Sequence, residues 1–491
     1  MPEKGRTIKI DWMAVIIYLI IFAGLIAMWI NAGNRSLWND DLSQMTMVLR
    51  PNTIKEFFEG IRAGDNNPPL SHLITAVWIR IAPYGTAWMK LPSILFVGLA
   101  VVFIAKTGRR VYNDLVGVLA AILGISSMHI IMLGAYTVRP YGLLYLAIAL
   151  LCYLYVRRYE NDSTKLRILY TLAMIFCLYT HYFSIFVIFS LFLGECIQMI
   201  QKRQKQIGHS LLTYLVAGIA ILPWFLYSMT AYYNKLQTFW AERPNPEKIL
   251  GIFQKLLGAS QAVQWVFLLE TALLVSGLFW KEEQKKQEKV LRILLLSIII
   301  TIGIVYVYSR YINPDGSVFV DRYFISIAPQ TILLAAIGMG RLVDVFSGDA
   351  KKRCILTVGA VMICISSAYS NVNSLHKESL KKGEPYEECA EYIMQCPDIY
   401  QDDVIVYNTS YELCDEGWNY YLTHNGERAP ILVYYNKELL NVSLESVNRI
   451  YVVKLHNSIK TSVEEVLEAE FECVAVDETT GIEIWDRMKD K

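Results

Sequence analysis

Apolar runs that approach the length of a membrane span recur about eleven times in the first 370 residues. They lie near 13–30, 91–106, 115–134, 141–156, 167–181, 182–200, 211–229, 262–280, 291–309, 323–340 and 354–370. A hydrocarbon core about 30 Å thick needs roughly 20 apolar residues as helix. Only 19% of the 491 residues are charged and 54% are hydrophobic, whereas soluble domains carry about 25% charge. The pattern excludes a single soluble globular domain. Abundant apolar residues and 12% aromatics exclude disorder as well. The expected fold class is a polytopic α-helical membrane protein.

Loop charges orient the spans. With a cytoplasmic N-terminus, the inner loops hold Arg109 and Arg110; Arg157, Arg158 and Lys165; Lys202, Arg203 and Lys205; Lys281, Lys285, Lys286 and Lys289; and Lys351, Lys352 and Arg353. Nearly every basic cluster then falls on one side, as the positive-inside rule requires. The first run follows Lys4, Arg6 and Lys9, and no convincing small-residue cleavage site comes after Ile30. It reads as a retained span. An odd span count places the C-terminal tail outside.

The first outer loop, 31–90, holds two short apolar segments. LSHLITAVWIRIA (70–82) is too short to cross and reads as interfacial or re-entrant. Counting it as a span would invert every loop downstream. TIKEFFEGI (53–61) sets Ile54, Phe57, Phe58 and Ile61 on one helical face and also reads as interfacial.

Charge divides the chain in two. Residues up to Asn371 carry +14 (35 basic, 21 acidic) and those from Val372 carry −13 (11 basic, 24 acidic). The expected domains are a transmembrane part, 1–371, and a small extracytoplasmic α/β domain, 372–491. In the tail, 402–408, 429–435, 449–455, 471–476 and 481–485 read as strands and 462–470 as a helix. It has no Gly-rich phosphate loop, and docking or lid duty without chemistry is its plain reading. Its four cysteines, Cys389, Cys396, Cys414 and Cys473, allow three disulfide pairings or free thiols. No zinc-type ligand spacing occurs in the sequence.

Polar residues suited to chemistry sit in the outer segments. SLWNDDLSQM (36–45) offers Asp40 and Asp41, either as helix N-cap or as general base. As neighbours at a helix start they point apart, so one can cap while the other works. GDNNPPLSHL (64–73) places His72 just inside a Pro-initiated helix. GAYTVRPYGLLYL (134–146) puts Arg139 at an outer boundary, where it either snorkels or binds an anion. LYTHYFS (178–184) sets His181 between Tyr179 and Tyr182, a polar residue in an aromatic belt or a ligand contact. SVFVDRYFISIAP (317–329) opens a span with Asp321–Arg322, a local ion pair or a second phosphate contact. A transporter would set ionisable groups near mid-bilayer between repeats. The spans hold few, Glu195 and Glu270 among them, and no repeat is visible.

In order along the chain stand an acidic pair after Trp38, Pro68–Pro69–Leu70, Tyr136–Thr137–Val138–Arg139–Pro140–Tyr141, Tyr179–Thr180–His181–Tyr182 and Arg322–Tyr323–Phe324. This order resembles the GT-C superfamily of multi-spanning glycosyltransferases that use polyprenyl-phosphate sugars. Within it the chain is most similar to the bacterial branch related to protein O-mannosyltransferases and lipid A aminoarabinose transferases. The resemblance covers about residues 10–345. The family's W-x-D-E places its catalytic aspartate at Asp40, with Asp41 in the Glu position. Asn67 stands where the family often has the His of H-P-P-L. Thr137 stands where an acidic residue often precedes the R-P-Y turn, which counts against a two-carboxylate or metal-dependent mechanism.

The resemblance implies transfer of a hexosyl or pentosyl unit from a polyprenyl-phosphate donor to a lipid, protein or cell-wall glycan hydroxyl, at the outer face of the plasma membrane. It implies Asp40 as base beside Asp41, and Arg139, Arg322, His72, His181, Tyr141, Tyr182 and Tyr323 on the donor's phosphate and sugar. It implies no cofactor, no indicated metal site and no nucleic-acid partner; membrane lipids surround the spans. The competing class is a transporter or flippase of lipid-linked sugars.

Overall fold

Each apolar run lies on a helix in the computed structural model, which describes residues 10–488 apart from 66, 203–206, 238, 259, 277–285, 347–348, 380–383, 397, 400, 402, 410–413, 424–430, 435–438, 440–442, 456–458 and 460. Among the basic residues used to orient the chain, Lys4, Arg6, Lys9, Arg203, Lys205, Lys281 and Lys285 lie outside the described residues, as do the ends of the 402–408 and 429–435 segments. Seven described helices are long and apolar enough to cross a membrane: Trp12–Asn34, Thr86–Val111, Tyr141–Glu160, Leu211–Leu236, Gln287–Ile312, Asp321–Val345 and Ala350–Lys377. The pairs Asp114–Ser126 with Met128–Ala135, and Glu247–Leu257 with Gln261–Ser276, raise the number to nine if each is one broken span. Runs 167–181 and 182–200 form the shorter helices Thr164–Thr180 and Ser184–Lys202. The protein is a multi-pass membrane protein.

The chain forms two compact units. One comprises residues 1–30, 92–136 and 140–376; the other comprises 31–91, 137–139 and 377–491. The compositional break at 372 therefore falls close to a unit boundary, but the unit beyond it also takes in the first loop.

In the helical unit, ion pairs tie the charged helix ends together. Arg109 reaches Asp11 at 2.8 Å and Asp114 at 2.6 Å, and Arg110 pairs with Glu160. Asp344 accepts from Tyr112 at 2.9 Å and from Arg353 at 3.2 Å. Three basic loops and the start of the first span thus meet at one end of this unit. The two acidic residues noted inside the spans are occupied by arginines. Glu195 takes Arg158 bidentately at 3.0 and 2.9 Å, and Glu270 takes Arg341 at 3.0 Å. An ion within a low-dielectric bundle persists when paired and hydrogen-bonded in this way. The span after Ser126 bends by 50° and ends in a widened π turn, Ile131–Ala135. The next helix starts at Tyr141 and closes on that turn: a Cβ at Gly142 would stand 2.3 Å from Gly134 O, so only glycine fits.

The second unit is built on a five-stranded sheet. Its strands are β1 (Val404–Asn408), β2 (Ile431–Tyr434), β3 (Arg449–Val453), β4 (Phe471–Val476) and β5 (Glu483–Arg487), in spatial order β2-β1-β3-β5-β4. β1 runs parallel to β2 and β3, while β5 is antiparallel to β3 and β4. All five residues of β1 are buried, as expected for a central parallel strand covered on both faces. Because side chains alternate, Ile405 and Tyr407 pack with Val463 and Leu467 of helix Thr461–Glu470 on one face. Val404 and Val406 face the other core, with helices Tyr386–Gln395 and Asp415–Leu422.

That second core also contains Leu37, Leu42, Met45 and Met89. The loop helix Asn39–Leu49 lies against Asp415–Leu422 so closely that a Cβ at Gly417 would come 2.5 Å from Leu42 O. Gly417 N donates to Thr46 Oγ1 at 3.0 Å, and Arg50 pairs with Asp415. All nine cysteines are free thiols. No tail disulfide forms, and Cys414 Sγ donates to Asn39 Oδ1 at 2.8 Å.

Candidate active site

The loop helix that carries the acidic pair starts with Trp38 at its N-cap. Asp41, at the third helical position, accepts from Trp38 N at 3.4 Å through Oδ2, and its own N–H donates to Trp38 O at 2.9 Å. Its other oxygen accepts from Val138 N at 2.8 Å. Asp41 is wholly buried. Burial pushes its carboxyl up to about 7, although the Val138 N–H, Lys90 and Arg139 all pull the other way. Asp40, one residue earlier, is partly exposed, and its backbone oxygen accepts from Arg139 Nη1 at 3.4 Å. The two neighbours therefore divide: one carboxylate holds the helix start to the 137–139 turn, and the other keeps access to solvent.

Arg139 is buried and clamps Asp65, with Nη2 3.1 Å from Oδ1 and Nη1 2.9 Å from Oδ2. Asn67 donates to the same Asp65 Oδ1 through N at 3.2 Å and Nδ2 at 2.9 Å. His72, fully buried on the first turn of helix Leu70–Trp78, places Nε2 3.1 Å from Asp65 Oδ2. Burial works to raise the Asp65 carboxyl, but Arg139 and His72 outweigh it and hold it well below the usual carboxylate range. Gln44 Nε2 bridges Thr75 Oγ1 and Val138 O, each at 2.9 Å. Lys90 is buried too, with Nζ donating to Ala32 O at 3.0 Å and to Arg35 O. The result is a fixed array of two arginine- and lysine-balanced carboxylates with Asp40 at its accessible edge.

Residues of the tail hold this array from the other side of the same unit. Asn39 N donates to Glu384 Oε2 at 2.5 Å, and Tyr386 OH donates to Asn39 Oδ1 at 3.1 Å. Leu37 N donates to Tyr421 OH at 3.1 Å. Asp65, Lys90, Gln44 and Glu384 were not singled out from the sequence. Asp65 sits seven residues before His72, in the Gly-Asp-Asn-Asn-Pro-Pro segment that precedes it, and its position alone carried no signal of the pairing with Arg139.

In the helical unit, His181 is buried and its Nδ1 accepts from Phe183 N at 3.1 Å. Tyr323 lies 5.1 Å from His181 ring to ring, and Tyr141 lies 6.1 Å away. Arg322 stacks over Trp240 at 5.5 Å and Tyr323 at 5.9 Å. The local Asp321–Arg322 pair gives way to another arrangement: Asp321 pairs with Lys255. Tyr182 is directed to helix Ile207–Gln237, where its hydroxyl meets Ser228 Oγ and Trp224 Nε1, each at 3.0 Å. It does not share a ring contact with His181 among the described residues. Tyr141, His181, Arg322 and Tyr323 are thus brought into one aromatic cluster, and Tyr182 is left beside it. No group of three or more His, Cys, Asp or Glu arranged to hold a metal occurs among the described residues.

The Asp41 environment predicts a pH signature. Its folded pKa of about 7 lies above the ordinary 3.8, so between these values the folded state binds more protons than the unfolded one. Stability then declines as pH rises from 4 to 7. The Asp65 contribution has the opposite sign and lies lower: it is present above the ordinary carboxylate range and lost as pH falls through its depressed value. Melting of the detergent-solubilised protein at pH 4–8 should show the decline, and Asp41→Asn should flatten it. An unchanged slope in the variant would reject the burial argument.

Residues 66–227 match the family model described as dolichyl-phosphate-mannose-protein mannosyltransferase. No curated protein sequence matches the chain. Two solved structures of ArnT from Cupriavidus metallidurans share its fold. The one bound to undecaprenyl phosphate is 12% identical, with a TM-score of 0.58 over 96% of this chain and 98% of that chain. The apo state is also 12% identical, with a TM-score of 0.58 over 97% and 98%.

Proposed function

From the premise that this chain has the GT-C superfamily fold, we propose that it is a glycosyltransferase that moves a sugar from a polyprenyl-phosphate donor to an acceptor hydroxyl on the extracytoplasmic side. The observation that carries the reading is the division of labour within the acidic pair. Asp41 is buried and spent on Trp38 N and Val138 N, while Asp40 stays partly exposed in the first turn of a helix fixed from several directions. The ArnT complex with undecaprenyl phosphate supports the donor class, and the 66–227 match supports sugar transfer. The charge of the inner loops supports the side.

The step is a single inverting displacement. The acceptor oxygen attacks the anomeric carbon as the bond from that carbon to the phosphate oxygen breaks. Asp40 takes the hydroxyl proton, and the bonding pair leaves with the polyprenyl phosphate. Positive charge develops at the sugar ring, as in glycoside chemistry, and negative charge grows on the leaving phosphate. Cationic side chains serve that charge. Arg322, which lies over Trp240 and Tyr323, is assigned to that charge. Arg139 clamps Asp65 and donates to the Asp40 backbone oxygen; it sets the position of the Asp40 backbone and the electrostatics around it. Tyr141, His181 and Tyr323 are assigned to the sugar and phosphate, and His72 to orientation of Asp65.

Turnover in detergent tests the reading. Purified protein given a labelled polyprenyl-phosphate sugar and a crude envelope acceptor fraction should release free polyprenyl phosphate with no membrane present. A flippase would leave the donor intact under the same conditions, and that outcome would replace enzyme by transporter.

A further inference from the structure

A second feature of the helical unit is lined by none of the candidate active-site residues. A cavity of about 260 Å³ opens among helices Ser184–Lys202, Gln261–Ser276 and Lys286–Val307. Its wall is apolar and partly open to the outside of the bundle: Ile197 and Ile299 are exposed, and Leu296 continues the surface. One end carries charge instead. Lys289 and Arg292 lie three residues apart, so they share a face of helix Lys286–Val307 with Leu296 and Ile299. Arg292 Nε donates to Leu274 O at 3.2 Å, but its buried Nη1 has no hydrogen-bond partner among the described residues. Gln198 Nε2, also in the lining, is buried and equally unpartnered among them. Among the described residues, the nearby acids Glu288 and Glu195 are engaged elsewhere, with Arg341 at 2.6 Å and with Arg158 at 2.9 Å.

Buried donors without acceptors are costly, and an apolar groove ending in two cations matches a lipid with an anionic head. We propose that this cavity is a binding site for one anionic phospholipid. Its phosphate is held by Lys289, Arg292 and Gln198, and an acyl chain lies along Ile197, Leu296 and Ile299. The basic end belongs to the loop that the positive-inside pattern assigns to the cytoplasm, where anionic headgroups attract cationic side chains. The site is independent of the sugar-transfer reading and stands or falls by lipid binding alone.

Native mass spectrometry of the full chain in detergent tests it, with phosphatidylglycerol, phosphatidylcholine, undecaprenyl phosphate or inorganic phosphate added at equal concentration. One phosphatidylglycerol should be retained, and phosphatidylcholine should be retained at least tenfold less. The double variant K289Q/R292Q should lose phosphatidylglycerol roughly tenfold or more. Inorganic phosphate should not compete, since it cannot use the groove. Ile299→Trp, which fills the groove and keeps both cations, should also lower retention and decides the matter if the double variant does not fold. Equal retention of the two phospholipids, equal retention by wild type and variants, competition by inorganic phosphate, or displacement of phosphatidylglycerol by undecaprenyl phosphate would each overturn the assignment.

Discussion

Asp40→Asn should lower sugar transfer by about 10² or more while leaving the melting temperature close to that of the wild type. The substitution keeps the shape of a partly exposed side chain and removes its basicity, and a positioned base contributes roughly 10²–10⁴ to rate. Asp41→Asn is the informative contrast. Its carboxylate serves the helix cap and the Val138 N–H, so an amide oxygen can keep one of those bonds. It should perturb stability and its pH dependence more than the chemical step. Transfer should be measured under single-turnover conditions with saturating donor, so that a change in donor affinity is not mistaken for a change in chemistry. If Asp40→Asn transfers at the wild-type rate, the base assignment fails. If Asp41→Asn alone is inactive and folded, the two roles are reversed.

The second large effect is expected at Asp65. Removing one partner of a buried ion pair leaves the other uncompensated and costs about 3–5 kcal/mol. Asp65→Asn removes the charged partner that Arg139 clamps at Oδ1 and Oδ2 and takes the anionic partner from His72. Arg139→Gln removes the guanidinium from the Asp65 carboxylate instead. Each single variant should lose about that amount in unfolding titrations in mixed micelles. The double variant should cost less than the sum of the two by at least about 1 kcal/mol, the range expected for residues in direct contact. Strict additivity would show that the pair is not coupled as its geometry requires.

Much of the helical architecture was legible because its signal is local. A run such as 291–309 declares itself by length and apolarity alone, and the helix Lys286–Val307 lies on it. The strands of the tail were legible for a similar reason, since Val404–Asn408 and Arg449–Val453 each hold a run of four apolar residues, 404–407 and 450–453. Their order in the sheet was not, because pairing β1 with both β2 and β3 depends on crossovers that leave no local mark. The contrast is sharper at the candidate site. That the acidic pair stands at a helix start was readable from its position before an apolar helix, but the N-cap is Trp38, and Asp41 sits at the third helical position. What fixes the other oxygen of Asp41 is Val138, 97 residues away. Asp65 stands in the segment before Pro68–Pro69 with no local mark of its role, and its arginine partner lies 74 residues on. Lys90 borders the apolar run that begins at 91, where a cation looks like a flank; its burial comes from the carbonyls of Ala32 and Arg35. Long-range polar pairs are invisible to periodicity, because nothing in the spacing of one segment encodes the chemistry of another.

The union of the first loop with the tail has a consequence for the order of events at synthesis. Leu37, Leu42 and Met45 are buried with Tyr386, Trp418 and Tyr421, and Leu37 N is bonded to a hydroxyl 384 positions later. At about 5–20 residues per second, the ribosome delivers those partners roughly 20–80 seconds after the loop has emerged. Through that interval the helix bearing Asp40 lacks the apolar surface it is built to cover. On the proposed function, sugar transfer by a nascent chain waits until Trp418 and Tyr421 have been made, and truncation before Trp418 removes apolar surface that the segment around Asp40 packs against.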